Sequence, residues 1–251
     1  MSGTHLGVRS SEAGQHNGGV VEFVAVRFEA SGRSWPDLVS FYGGRLGLGV
    51  EDIGEEPLEF RVGDQRLIFR RSEPDAEPFY HFALLVPGDR FEAASEWFAA
   101  RVELLPDPDS GDTAFHFDAW DARASYFVDP VGNIVEFIAH RTVAETGSRE
   151  PFDPAELAGF SEVGVVVDDK PAATRTLQGD LGLEIWDGEV DDARRLAFAG
   201  ERARTLIVCP AGRGWMPTGR PAEIHPVDVA LRAPRKALSQ LPGAPHRIVG
   251  L

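Results

Sequence analysis

Apolar and polar positions along the chain switch between a period of two and a period near 3.6, and the switches come in a recurring order. The clearest instance begins with Phe79-Tyr80-His81-Phe82-Ala83-Leu84-Leu85-Val86, a β-prone run that predicts a strand. Asp89, with Glu92 three residues on, reads as a capping box. Phe91, Ala94, Ser95, Trp97 and Phe98 follow at helical spacing. Val102-Glu103-Leu104-Leu105 predicts another strand, Pro106 to Gly111 a loop, and Ser125 to Phe137 a closing hairpin. In its turn, Asp129-Pro130-Val131-Gly132-Asn133, proline presets φ while glycine and asparagine accept positive φ.

This βαβββ order repeats along the chain. A first copy runs from about Val20 to Arg71. It has a strand over Val24 to Phe28, a helix carrying Trp35, Leu38, Phe41 and Tyr42, and strands around Leu58 to Phe60 and Arg66 to Phe69. A third copy starts near Gly159, with a strand from Val163 leading into a helix that ends at Leu181-Gly182-Leu183. Strands around Ile185-Trp186, Leu196 to Phe198 and Thr205 to Val208 complete it. A fourth begins at Val227 to Leu231, has a short helix around Lys236-Ala237-Leu238, and ends at Arg247 to Val249 without a last hairpin. Thr142 to Pro154 is polar and proline-flanked, as a linker is. The predicted organisation is a disordered leader over 1–19, a two-module domain over 20–141, a linker over 142–158, and a domain over 159–251 with one full and one truncated module. The fold class is α+β.

Composition narrows the function. The 251 residues are 43% hydrophobic, a globular content, and carry a net charge of −15. Such acidity opposes a nucleic-acid or anionic-membrane partner. No apolar run approaches the ~18 residues of a membrane helix, and residues 1–19 lack the apolar stretch of a signal peptide. The single cysteine, Cys209, cannot form an intrachain disulfide and sits in an apolar run, so nothing implies an oxidising compartment. A cytoplasmic protein with a small-molecule partner is expected.

The chemistry lies in the hairpin. Glu136 falls in the apolar run from Ile134 to Phe137, and a buried carboxylate is costly unless paired or bound to a cation. The stretch Tyr126-Phe127-Val128-Asp129-Pro130-Val131-Gly132-Asn133-Ile134-Val135-Glu136 resembles the last hairpin of the vicinal oxygen chelate superfamily. This superfamily includes glyoxalases, extradiol dioxygenases and bleomycin-resistance-type binding proteins. Phe41-Tyr42 followed by Leu46-Gly47 resembles its helix end. The resemblance implies βαβββ modules paired into two cupped, incomplete barrels with helices outside, and a homodimer. It also implies a divalent metal (Fe, Mn, Zn or Ni) with open positions for a substrate that chelates through two neighbouring oxygens.

Carried over residue by residue, the resemblance makes His81 the first metal ligand, from the pattern His-x-x-Leu-x-Val, and Glu136 the second. The third position stays open. The apolar rhythm puts Phe23 there, and a one-residue shift rescued by a β-bulge puts Glu22 there. Glu162 and Asp228 hold the same place in later modules and read as surface or hydrogen-bonded carboxylates. In extradiol dioxygenases a histidine precedes this hairpin, which offers His116 for proton transfer beside Tyr126. Tyr80, Phe117 and Trp120 read as walls of an apolar pocket. Arg213 and Trp215, in a Gly/Pro-rich loop, read as a lid that clamps an anionic substrate. Two functions follow: a metal-dependent dioxygenase or glyoxalase-type lyase or isomerase, and a metal-free binding protein of the sequestering kind.

Overall fold

In the computed structural model, the described residues are 21–52, 56–143, 145–192 and 194–251. The expected leader over 1–19 lies outside them. Module one comprises β1 (Glu22–Ala30), α1 (Trp35–Leu38), a wide π turn over Val39–Arg45, β2 (Gly49–Asp52), β3 (Leu58–Val62) and β4 (Gln65–Arg71). Module two comprises β5 (His81–Leu85), α2 (Phe91–Ala99), β6 (Phe115–Phe117), β7 (Ala122–Val128) and β8 (Ile134–His140). Module three comprises β9 (Gly159–Val167), α3 (Lys170–Leu181), β10 (Ile185–Gly188), β11 (Ala197–Glu201) and β12 (Arg204–Pro210). A small hairpin, β13 (Gly214–Trp215) and β14 (Arg220–Pro221), precedes β15 (Val227–Arg232), β16 (Leu238–Gln240) and β17 (His246–Gly250) of module four.

The modules do not pair in chain order. One sheet runs β16-β17-β15-β1-β4-β3-β2 and the other β10-β11-β12-β9-β5-β8-β7-β6. Module one therefore joins module four, and module two joins module three. The division of the chain at 142–158 does not separate the sheets. Complementary charges line the seam between modules one and four. Across the antiparallel β1–β15 seam, Glu22 lies opposite Arg232 and Arg27 opposite Asp228, and both pairs form ion pairs. Against β5, whose residues are all buried, these charges would have had no partners.

Opposite faces of the two sheets share one core. Phe28 of β1 stacks on Tyr80 at 4.4 Å and on Phe82 of β5 at 5.1 Å, and Phe23 meets Phe160 of β9 edge-on at 6.2 Å. The sheets are thus back to back, with Phe41, Tyr42, Phe91, Phe98 and Leu177 from the helical segments in the same core. The outward face of the second sheet carries a separate apolar cluster that includes Ala83, Tyr126, Ile134, Ile138, Val166, Phe198, Ile207 and Trp215. This cup contains the candidate site.

Several local expectations differ from the structure. Residues 102–105 form no strand; only Leu105 N–H bonds to the Tyr126 carbonyl. Arg90, not Asp89, is the N-cap of α2, and the Asp89 carboxylate instead accepts from Thr146 and Gly147 N–H. The buried Arg90 guanidinium also holds the 142–158 segment, through Glu156 and the Ser148 and Glu150 carbonyls. Lys236 to Leu238 is not helical, and the last hairpin of module four is present as β16–β17. What module four lacks is the helix and one strand: β15 pairs in parallel with β17, as β5 does with β8. No helix among the described residues is long and apolar enough to cross a membrane.

Candidate metal centre

Three strands bring the site together. His81 begins β5, Glu136 is the third residue of β8, and Glu162 is the fourth of β9. Parallel pairing of β5 with β8 sets His81 beside Ile134 and Ala83 beside Glu136, while antiparallel pairing of β5 with β9 sets Ala83 beside Glu162. The small Ala83 side chain therefore lies between two carboxylates. One donor atom from each of His81, Glu136 and Glu162 can be chosen so that all three lie within 4.8 Å of one another. His81 Nε2 is 3.5 Å from Glu136 Oε2. All three side chains are buried, and Glu162 is only 4% exposed.

Burial dominates the electrostatics of the three side chains. Burial raises the pKa of Glu136 and of Glu162, and the Glu162 charge raises Glu136 further. Two buried carboxylates side by side disfavour each other's ionisation. Burial also lowers His81 to about 4, opposed by its Ile134 contact, with a smaller lowering from Arg213. Neutral His81 donates Nδ1–H to the Ile134 carbonyl at 3.0 Å, which leaves the Nε2 lone pair facing the carboxylates. A backbone carbonyl commonly orients a metal-binding imidazole in this way. The donor set fits a first-row divalent ion: a neutral imidazole and two carboxylates balance a +2 charge. Neighbouring donors at ~2.1 Å bonds lie roughly 3–3.5 Å apart, so closing a set that already lies within 4.8 Å takes side-chain adjustment on the order of 1 Å.

The registers show why the set has three members. Glu162 pairs with Thr205 as His81 does with Ile134, and Gly164 pairs with Ile207 as Ala83 does with Glu136. Ile207 thus occupies the place where the internal two-fold would put a second carboxylate from a last strand. Tyr126, across from Glu136 on β7, interacts with that carboxylate through its hydroxyl, and burial chiefly raises its pKa well above the ordinary tyrosine value.

A cavity of about 70 Å³ opens beside these three side chains. Phe117, Trp120, Tyr126, Leu196, Phe198, Ile207, Arg213, Trp215 and Met216 complete its lining. The β13–β14 hairpin covers it, with the buried Trp215 ring 4.7 Å from that of His81. Gly164 permits this approach: a Cβ there would lie 3.0 Å from both the Trp215 ring and the His81 carbonyl oxygen.

The remaining expected site residues lie elsewhere. Glu22 is on the other sheet, ion-paired to Arg232. The β-bulge needed for Glu22 exists, between Phe23 and Ala25, but β1 pairs with β15 and not with the cup strands. Phe23 is in the core. His116 points away from the cup, exposed between the less exposed Phe115 and Phe117. Tyr80 belongs to the shared core, where its hydroxyl accepts from Glu29 N–H at 3.1 Å. Asp228 is a surface partner of Arg27 and Arg70. Glu162 is the ligand candidate that chain-order pairing hides. Its signal was available: an acid at the first-strand position in the run Val163-Gly164-Val165-Val166-Val167. Cys209 is buried, and burial pushes its thiol up to about 12, which removes it as a nucleophile at neutral pH.

His140, on the same face of β8, is buried against Trp120 and Trp186. Burial chiefly, then Arg202, lowers its pKa from 6.5 to about 4. A histidine depressed by folding contributes stability above its unfolded pKa, and that contribution is lost as pH falls through 6.5 toward 4. Replacing it as His140→Phe is expected to flatten this part of the stability profile by up to about 3 kcal/mol. Urea midpoints measured at pH 7 and pH 4 check this, and an unchanged difference between the two pH values would refute it.

This architecture defines the protein as having the vicinal oxygen chelate fold: βαβββ modules in α+β layers around a cupped sheet. Comparison with solved structures agrees. A candidate dioxygenase from Bacillus subtilis subsp. subtilis str. 168 superposes with a TM-score of 0.55 at 14% identity, covering 84% of this chain and 70% of that one. A V278E glyoxalase I mutant from Zea mays gives 0.50 at 13% identity, covering 92% and 93%. No protein-family model matches the sequence, and no curated protein does.

Proposed function

We propose that the protein is a metal-dependent enzyme of the glyoxalase/dioxygenase type, acting on a small substrate through two neighbouring oxygens. The observation that carries this reading is the convergence of His81 Nε2 with the Glu136 and Glu162 carboxylates in a buried cup, with Nδ1 already anchored on the backbone. His81, Glu136 and Glu162 would hold one divalent ion. When bound, that ion supplies Lewis acidity toward substrate oxygens. The chain's own residues do the rest: Tyr126 orients Glu136, the aromatic wall excludes water, and the Trp215 hairpin closes the cup.

A metal-free binding protein is the second reading, and Ile207 at the fourth position favours it. Elemental analysis of protein purified without chelator separates the two. About one first-row metal ion per chain is expected in the wild type, with loss in His81→Ala. Protein that takes up no metal after incubation with iron, manganese, nickel or zinc would establish the binding-protein reading.

A further inference from the structure

We propose that the cup recognises a small organic monoanion, and that Arg213 is the residue that binds its charge. This deepens the proposed function and rests on the same cavity. Apart from the three ligands and the Tyr126 hydroxyl, the lining is apolar except for one cation, Arg213. The guanidinium is fixed in place. Its Nε donates to the Arg194 carbonyl at 3.1 Å and its Nη1 to the Gly214 carbonyl at 2.9 Å. These neutral carbonyls orient the group without cancelling its charge. Nη2 makes no hydrogen bond, and Arg213 makes no ion pair, among the described residues.

On the other sheet, Arg27, Arg61, Arg66, Arg70 and Arg232 pair with acids. In a chain of net charge −15, no ion pair among the described residues involves Arg213, although it lines the candidate cavity.

Charge balance gives the ligand's sign and valence. A neutral His81, two carboxylates and a divalent ion would sum to zero, so half-buried Arg213 would leave one uncompensated positive charge at the lining of the cup. A monoanion neutralises it, whereas a neutral ligand leaves it unpaired. Size gives the rest: with Trp215 in place, about 70 Å³ admits a ligand of only a few heavy atoms, and the walls suit an apolar substituent.

Lactate and lactamide form a suitable probe pair, since they match in shape and oxygen placement and differ in charge. Binding is followed by tryptophan fluorescence, because Trp120 and Trp215 line the cavity. Lactate is expected to bind the wild type at least about tenfold more tightly than lactamide. Arg213→Gln should abolish that preference, and Arg213→Lys should restore part of it. Metal content, measured in parallel, should be unchanged in both variants. Equal affinity for the two probes in the wild type, or a preference that survives in Arg213→Gln, would overturn the proposal. A preference that depends on Arg213 in protein without metal would support it while removing the metal reading, so the two failures are distinguishable.

Discussion

Glu162→Gln is expected to weaken metal binding by at least about 100-fold while Glu22→Gln leaves it unchanged. Loss of an outer partner of a metal ligand typically costs 10–100-fold, and Glu162 is one of three candidate ligands among the described residues, so its removal should cost more. The amide keeps the shape and the burial but loses the negative charge that balances a divalent ion. Unfolding can be separated from loss of the ligand. In metal-free protein the variant relieves repulsion between two buried carboxylates, so its stability should equal or exceed that of the wild type. Equilibrium dialysis against manganese or zinc, alongside urea denaturation of the metal-free protein, gives both quantities. Wild-type metal affinity in Glu162→Gln would eliminate this residue as a ligand. Loss of affinity in Glu22→Gln would return the site to chain-order pairing.

Asp129→Ala should destabilise the protein by about 3–5 kcal/mol, through a role in the hairpin that is structural rather than chemical. The buried Asp129 carboxylate accepts from Tyr42 Oη at 2.7 Å, Asn133 Nδ2 at 2.8 Å, Asn133 N–H at 2.9 Å and Val131 N–H at 3.0 Å. Asn133 in turn accepts Tyr80 N–H at 2.8 Å. The network joins module one to module two, because Tyr42 lies in the helical segment that packs over the hairpin. Burial raises the Asp129 pKa and its hydrogen bonds oppose the rise, so the carboxylate carries a desolvation cost that its donors offset. Removing it relieves that cost but leaves three buried donors and the half-buried Val131 N–H short of an acceptor, at about 1–3 kcal/mol for each buried one. Tyr42→Phe removes one of the four and should cost only about 1–2 kcal/mol. Urea unfolding of both variants checks the ratio. Equal losses would show that the carboxylate matters only through Tyr42.

The turn and the candidate ligand in this hairpin were legible in sequence for different reasons. Gly132 takes φ 86°, as the Pro-x-Gly-Asn order requires, and the turn depends only on neighbouring residues. Glu136 stood out because a charge in an apolar strand demands compensation. His81 was legible by its place at the head of a strand. Glu162 stood in the equivalent place, but its significance depended on which first strand lies beside β5. The same uncertainty applied to Glu22, whose bulge was correctly conceived and belongs to the other sheet. Tyr80 and His116 were misread because strand alternation gives two faces without saying which is the cup. Packing against Phe28 assigned Tyr80 to the shared core.

The sequence by itself determined the modules, the hairpin and two of three candidate ligands, because strand period, helix period and turn chemistry are local properties. The tertiary structure decided which modules share a sheet, since all four first strands compete for the same kind of antiparallel edge. Charged β1 and β15 pair with each other, and the fully buried strands β5 and β9 pair with each other between their neighbours. That pairing turned Glu162 from an isolated acid into the third member of the site, and placed Arg213 and Trp215 over it.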